Sequence, residues 1–541
     1  MNTRFLSVVL FSLLLAGSLQ ARELHYAVDL GQTQMHQVHV TLTLVGFKSK
    51  KAVFQMPVSA PGAYSVTHYG RYVREVHAFD KDGTELPVTQ ENEDRWDIAK
   101  GQTLAKIEYD VLDSHSDTTS LYFAMANMDT SLFFANATAL FGYVNDDKKA
   151  PAYVHYDKPA AWTLACALPP SKSGYGQDTN ATFQNTDFYA KDYDALADAP
   201  IMAAPGEGPP YMVTRSFRDG KAVYDLAIAS DVMLAPAKMD SLTLYLRKIV
   251  HAETDFFHDT PFDHYTFVVY APSLRRTPSY AQGALEHMNS SDYMLSNFAW
   301  PMLKRSFISI YSHEFFHLWN VKRIHSALLG PFDYTKRVKT TSLWLAEGVT
   351  EYYAHTLLTR YGILPASSFY ETIGQWVAAM PQVRDSASHK SLEQLSIDES
   401  DFHLDEAEIF YIKGPLVALM LDLEIRNKTN NKRSLDDVMF ALNNEAKHGK
   451  TFKDQDLIHK VERISGVDLT DFYNRYIHGT DTLPMSHYLS MIGATPHRES
   501  EEAEVVPPEI ASGKAKREGP MLIDLEAPPA AQAMRKGIVG E

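Results

Sequence analysis

Two histidines four residues apart, with a glutamate beside the first, form the clearest chemical signal in the sequence: His313-Glu314-Phe315-Phe316-His317. On a helix, residues four apart share a face, so both imidazoles point the same way. Two neutral histidines at that spacing can chelate a divalent metal. Glu314 then faces the remaining position, where a carboxylate can take a proton from the attacking water. The surrounding Phe307, Ile308, Ile310, Phe315, Phe316, Leu318 and Trp319 predict a buried helix. Polar groups in so apolar a helix are costly unless they are paired or ligated.

A catalytic zinc needs a third protein ligand and an open fourth position. One solution places a His six residues after the second His, with Gly at the third. Those positions hold Arg323 and Asn320, which excludes it. Another takes a Glu from a second helix, and Trp344-Leu345-Ala346-Glu347-Gly348 offers one inside the apolar-periodic stretch 341–361. The expectation is therefore Zn2+ on His313, His317 and Glu347, with Glu314 as the catalytic base. Glu351 lies one turn beyond Glu347 on the same face, where its carboxylate could orient a ligand histidine.

The elements that must position these residues follow from the chain's texture. At 541 residues, 45% of them hydrophobic, the chain exceeds one core and implies two to four domains. Residues 22–230 read as an N-terminal β domain plus linker. Val38, Val40, Leu42 and Leu44 alternate with His39, Thr41 and Thr43, the period of a half-buried strand. Asp82–Gly83 marks a hairpin, and the region reads as sandwich-like. From 166 to 230 the Pro- and Gly-rich texture reads as the end of the β region and a linker. Residues 231–485 turn helical after a strand at 265–270. Helices are expected at 304–321, 341–361, 415–426 and 435–446, giving an α+β domain. Residues 486–541 are charged and Pro-rich, with one strand expected at 521–525.

The net charge of −16 argues against nucleic acid, which demands clustered Lys and Arg. Arg4, the apolar run from Phe5 to Ala16 and Ala21 before Arg22–Glu23 read as a signal peptide spanning 1–21. That predicts an exported protein with no stable membrane span once the segment is removed. Cys166 is the lone cysteine, so neither an internal disulfide nor a thiolate metal cage is possible. A bacterial periplasm suits such a chain.

The combination of His313–His317, Leu318-Trp319-Asn320-Val321-Lys322-Arg323-Ile324 and Leu343-Trp344-Leu345-Ala346-Glu347-Gly348 resembles the glycyl aminopeptidase family. The resemblance runs from about 22 to 500 and includes Met56-Pro57-Val58-Ser59-Ala60-Pro61-Gly62-Ala63-Tyr64. It implies an N-terminal β domain, a thermolysin-like catalytic domain and a C-terminal PDZ domain. It also implies removal of small N-terminal residues, Gly or Ala, from peptides. Only about 55 residues remain after 486, so residues 486–541 are expected to form a partial PDZ-like unit or a disordered tail.

By analogy with related aminopeptidases, Gly283-Ala284-Leu285-Glu286-His287 resembles a substrate-binding strand. Gly283 and Glu286 are thereby implied to line the substrate, with Glu286 pairing with its α-ammonium. His287 departs from the usual Asn. Tyr411-Ile412-Lys413-Gly414 resembles a segment whose tyrosine donates to the developing oxyanion, a preorganised electrostatic role. Two other functions stay open: an exported endopeptidase built on the same site, and a non-catalytic peptide-binding protein.

Overall fold

The computed structural model describes residues 21–540 except 115–116, 118–123, 146, 172–182, 274–282, 296–299, 387–389, 398–403, 497–509 and 511. The expected signal peptide, residues 1–20 of it, lies outside the described residues.

Alternation builds the N-terminal domain. In strand Gln37–Val45, Val38, Val40, Leu42 and Leu44 are buried while the intervening residues are not. Successive side chains leave a strand on opposite faces, so one face meets the core. This strand is central in a seven-stranded sheet. Its spatial order is Asp187–Ala190, Ala152–Asp157, Glu23–Asp29, Gln37–Val45, Leu104–Leu112, Val73–Asp80, Glu85–Leu86. Two four-stranded sheets complete the domain. All three share a core that includes Tyr26, Phe54, Tyr109, Phe133 and Phe141. The expected sandwich-like β domain is therefore present.

A second sheet begins the helical domain. Its order is Tyr211–Asp219, Ala222–Ser230, His264–Ala271, Ser290–Met294, Gly283–Glu286. The three central strands are parallel and the two outer ones antiparallel. His264–Ala271 is buried at every position, as expected for a parallel strand covered on both faces. Helix Pro236–Phe257 makes the crossover between the first parallel pair.

Two sequence expectations need correction. The texture places residues 211–230 with the β domain and its linker, but they form a hairpin paired to His264–Ala271 in the second sheet. Strand periodicity cannot say which sheet a strand joins. The helix expected from 415 runs from Leu404 to Lys428, straight through Pro415. Pro415 lacks the N–H that would bond the carbonyl of Tyr411, so the helix carries a missing rung there.

Three helical segments face one another beyond the sheet: Trp300–Phe316, the stretch Trp344–Arg360, and Leu404–Lys428. The first rests on the sheet through Phe315 against Tyr265 and Tyr311 against Tyr293. Residues 494–540, where described, fold as strands Ala494–Pro496, Ala515–Glu518 and Met521–Asp524 with helix Pro529–Val539. This unit packs on the helical domain, where Arg360 Nε donates to the carbonyl of Ile538 at 3.4 Å. Among the described residues, no helix is long and apolar enough to cross a membrane.

Candidate active site

His313 lies in the last turn of helix Trp300–Phe316, and the His317 N–H still bonds the His313 carbonyl at 3.2 Å. Both imidazoles therefore emerge from one helical face. Glu347 comes from the second segment, where Trp344–Val349 forms a π-helical turn leading into helix Thr350–Arg360. Such π turns are rare overall and are frequent at functional sites. The glycines after Glu347 and Tyr411 explain how the second and third segments approach. A Cβ on Gly348 would stand 2.6 Å from the Gly414 Cα, so only two bare backbones fit there.

The ligand atoms converge. His317 Nε2 lies 3.0 Å from His313 Nε2, and Glu347 Oε2 lies 3.3 Å from His313 Nε2 and 3.5 Å from His317 Nε2. Ligands bound about 2.0–2.1 Å from a tetrahedral centre stand about 3.3 Å apart. The hydrogen bonds behind the rings fix the tautomers. His317 Nδ1 lies 2.6 Å from the Asn320 carbonyl, which can only accept. His313 Nδ1 donates to Glu351 Oε2 at 2.8 Å. With both Nδ1 atoms donating, a neutral ring has a bare lone pair at Nε2. Two lone pairs and a carboxylate oxygen meeting in a buried space require a cation, so the donor set fits a divalent metal.

Residues 25–205 match the Peptidase M61 N-terminal domain, and residues 306–417 match the M61 glycyl aminopeptidase domain. The chain belongs to the M61 glycyl aminopeptidase family. It is thus a metallopeptidase. No curated relative matches its sequence. In fold it is similar to an aminopeptidase N family protein from Idiomarina loihiensis, with 23% identity over 88% of this chain and 82% of that one and a TM-score of 0.77. It is also similar to a mutant M1 zinc metallopeptidase from Deinococcus radiodurans bound to a Tyr-Ser-Ala substrate. That pair shares 15% identity over 86% of this chain and 95% of the other, with a TM-score of 0.51.

Around the M61 ligand cluster the electrostatics favour positive charge. Burial works against a charged His313, yet hydrogen bonds to Glu347 and Glu351 raise its pKa well above the ordinary value. Against the same burial, the imidazoles hold Glu347 and Glu351 below the usual carboxylate range. Glu351 also binds His355 Nε2 at 3.0 Å. Burial lifts Glu314 to about 7, against the lowering by His313 and His317, with Glu286 and Glu347 adding to the rise.

The structure also brings together the residues expected to handle substrate. One ligand atom each from Glu286, Glu314 and His317 lie within 4.8 Å of one another. Glu286 ends strand Gly283–Glu286 at the sheet edge, whose other end is Gly283. Leu285 on the opposite face is buried in the core of the β domain. The Tyr411 ring centroid lies 5.6 Å from that of His313. The residue is 39% exposed, yet desolvation of its phenol raises the pKa, and Glu347, Glu314 and Glu286 raise it further, which places the phenol among these carboxylates.

Sequence reasoning missed several participants. Tyr64, from the β domain, donates its hydroxyl to Glu347 Oε1 at 2.8 Å. Gly62 lies so close to Glu286 that a Cβ would stand 2.6 Å from its Oε1. Asn320 supports His317 through its carbonyl, and its side chain donates to the Leu345 carbonyl at 2.7 Å, tying the two ligand segments together. His287 and Lys322 both bind Asp198 of the β domain, at 3.1 Å and 2.9 Å. The Pro/Gly/Tyr segment ending at Tyr64 was the available signal, but nothing in it specifies a contact 283 residues away.

Proposed function

We propose that this metallopeptidase is a zinc-dependent aminopeptidase, with His313, His317 and Glu347 as metal ligands. The observation that carries this reading is the convergence of two bare imidazole nitrogens and a carboxylate oxygen at ligand–ligand spacing, with Glu286 beside them. Bound zinc would supply Lewis-acid polarisation of the scissile carbonyl and the attacking water. Glu314 takes the water's proton and delivers it to the leaving amine, a role suited to a carboxyl near 7. The Tyr411 hydroxyl donates to the developing oxyanion. Glu286 pairs with the substrate's α-ammonium and so measures one residue from the reacting carbonyl. Glu351 orients His313. Membership of the glycyl aminopeptidase family supports the chemistry, and similarity in fold to an M1 zinc metallopeptidase supports the metal.

The finer architecture belongs to the same reading. We take the helical domain as thermolysin-like, supported by ligands on two facing helical segments. We take residues 494–540 as part of a PDZ-like unit, supported by their three-stranded sheet and helix. Export to a periplasm rests on the N-terminal apolar run and Ala21.

The test compares a free-amino peptide with its acetylated twin. The free peptide should be cleaved and the acetylated one resist; equal rates would favour the endopeptidase instead. Glu314→Gln should abolish most turnover, on the order of 10²–10⁴-fold, while zinc is retained by elemental analysis.

A further inference from the structure

We infer that Asp198, a carboxylate of the β domain, is a positioning residue that sets the spacing between the ammonium anchor Glu286 and the metal ligand His317. This rests on the aminopeptidase reading, in which that spacing measures one residue of the substrate.

Asp198 receives both sides of the site on one carboxylate. On one side is the end of strand Gly283–Glu286. His287 Nδ1, one residue beyond Glu286, donates to Asp198 Oδ1 at 3.1 Å, and the Met288 N–H donates to Oδ2 at 2.6 Å. On the other side is the chain leaving the ligand helix. The Lys322 N–H donates to the His317 carbonyl at 3.0 Å, and Lys322 Nζ donates to Asp198 Oδ1 at 2.9 Å. A path from Glu286 to His317 therefore runs through one side chain that belongs to neither segment. Charge pairing alone would not need the third donor. The Met288 N–H is neutral and belongs to the main chain, so the carboxylate locates the backbone beside Glu286 as well as balancing Lys322 and His287.

The carboxylate is itself held from behind. Asp198 caps the C-terminus of helix Tyr193–Ala197, and Asp192 caps its N-terminus by accepting from the Ala195 N–H at 2.8 Å. Tyr193, Leu196 and Ala197 sink into the β-domain core, where the Tyr193 hydroxyl donates to the Phe141 carbonyl. A group on so fixed an element holds its partners in place instead of following them. Both charges are largely buried, with 10% of the Lys322 side chain and 14% of the Asp198 side chain exposed. Water competes little there, and charge-assisted bonds are about twice as strong as neutral ones.

The test uses the full chain loaded with zinc and two hydroxamates that share a metal-binding group. Glycine hydroxamate carries an α-ammonium and acetohydroxamate lacks it. Titration calorimetry reads both Kd values without turnover. In the natural protein the amino compound should bind at least about tenfold more tightly, the worth of a hydrogen bond to a charged group. Asp198→Glu keeps the charge but adds a methylene, so it shifts the strand end and leaves the local charge balance alone. It should weaken the amino compound by roughly tenfold and spare acetohydroxamate, since a misplacement of about 1 Å costs up to about a hundredfold. Lys322→Arg also keeps the charge and alters the other arm, so it should narrow the preference in the same way. Thermal unfolding confirms that each variant folds, and either variant alone decides the matter. A preference unmoved in a folded variant would overturn the proposal, because Asp198 would then only balance charge. Equal weakening of both hydroxamates would overturn it too, because Asp198 would then only support the metal helix. Equal Kd values in the natural protein would instead remove the aminopeptidase reading beneath it, because no group would be receiving the ammonium.

Discussion

The Tyr64 hydroxyl donates to Glu347 Oε1 at 2.8 Å, on the carboxylate whose Oε2 faces both ligand imidazoles. The β domain thus holds the oxygen that the ligand cluster does not use. Removing that hydroxyl in Tyr64→Phe leaves a buried carboxylate short of one donor. The metal should bind about 10–100-fold more weakly, as is usual when a partner behind a ligand is lost. Competition with a chromophoric chelator measures this directly. Unchanged affinity would mean that the contact only packs the domains together.

The Gly348–Gly414 contact sets the spacing between Glu347 and Tyr411. Gly348→Ala would press a methyl group into the opposite backbone, which cannot swing aside as a long side chain can. The expected cost is about 1–3 kcal/mol of stability, the range for overpacking. Activity should fall with it, because both functional residues ride on the displaced segments. Chemical denaturation with parallel kcat/KM measurements tests the pairing; a variant with full stability and full activity would contradict it.

The ion network at the end of strand Gly283–Glu286 gives a pH signature. Burial alone would lower the His287 pKa from 6.5, but its hydrogen bond to Asp198 and the Asp292 carboxylate 3.7 Å from its Nε2 prevail and raise it to about 9. A raised folded-state value means that the charged form stabilises the fold. That stabilisation is complete below the unfolded value and drains away as pH climbs from about 6.5 through about 9. Burial likewise opposes the charge on Asp198, yet Lys322 and His287 lower it to about 2. Its share persists above the ordinary value of 3.8 and is lost only toward strong acid. Denaturation midpoints on either side of the alkaline window should fall for the natural protein and hold steadier in His287→Asn.

Metal removal should cost stability as well as activity. The folded site gathers its donors while the unfolded chain does not, so zinc at a hundred times its Kd contributes about 2.7 kcal/mol. Dialysis against a chelator should lower the thermal midpoint and abolish turnover, and added zinc should restore both. A midpoint indifferent to the chelator would mean that no metal had been bound.

How much of this was legible depends on the range of each relationship. His313 and His317 share a helical face by spacing alone, and a Glu amid Trp344, Leu345 and Val349 had to be buried. Their convergence needed the fold, because the two segments meet through Asn320 and through bare glycine backbone. The sheet that residues 211–230 join is not legible in the sequence, because a hairpin's alternation is indifferent to which neighbour it pairs with. Pro415 misled the helix boundary, since the local rule that proline starts helices was overridden by packing on both sides. Tyr64 was out of reach altogether: its role exists only where two domains touch.

Leu285 and Glu286 divide one strand between two masters, one side chain sunk in the sandwich and the next in the cleft. A strand behaves as a stiff lever at this length, so a disturbance on one face is felt on the other. Substitutions deep in the sandwich around Leu285 would then surface as altered KM before they surface as unfolding. Random mutagenesis of that remote core is therefore a route to retuning what the enzyme will accept.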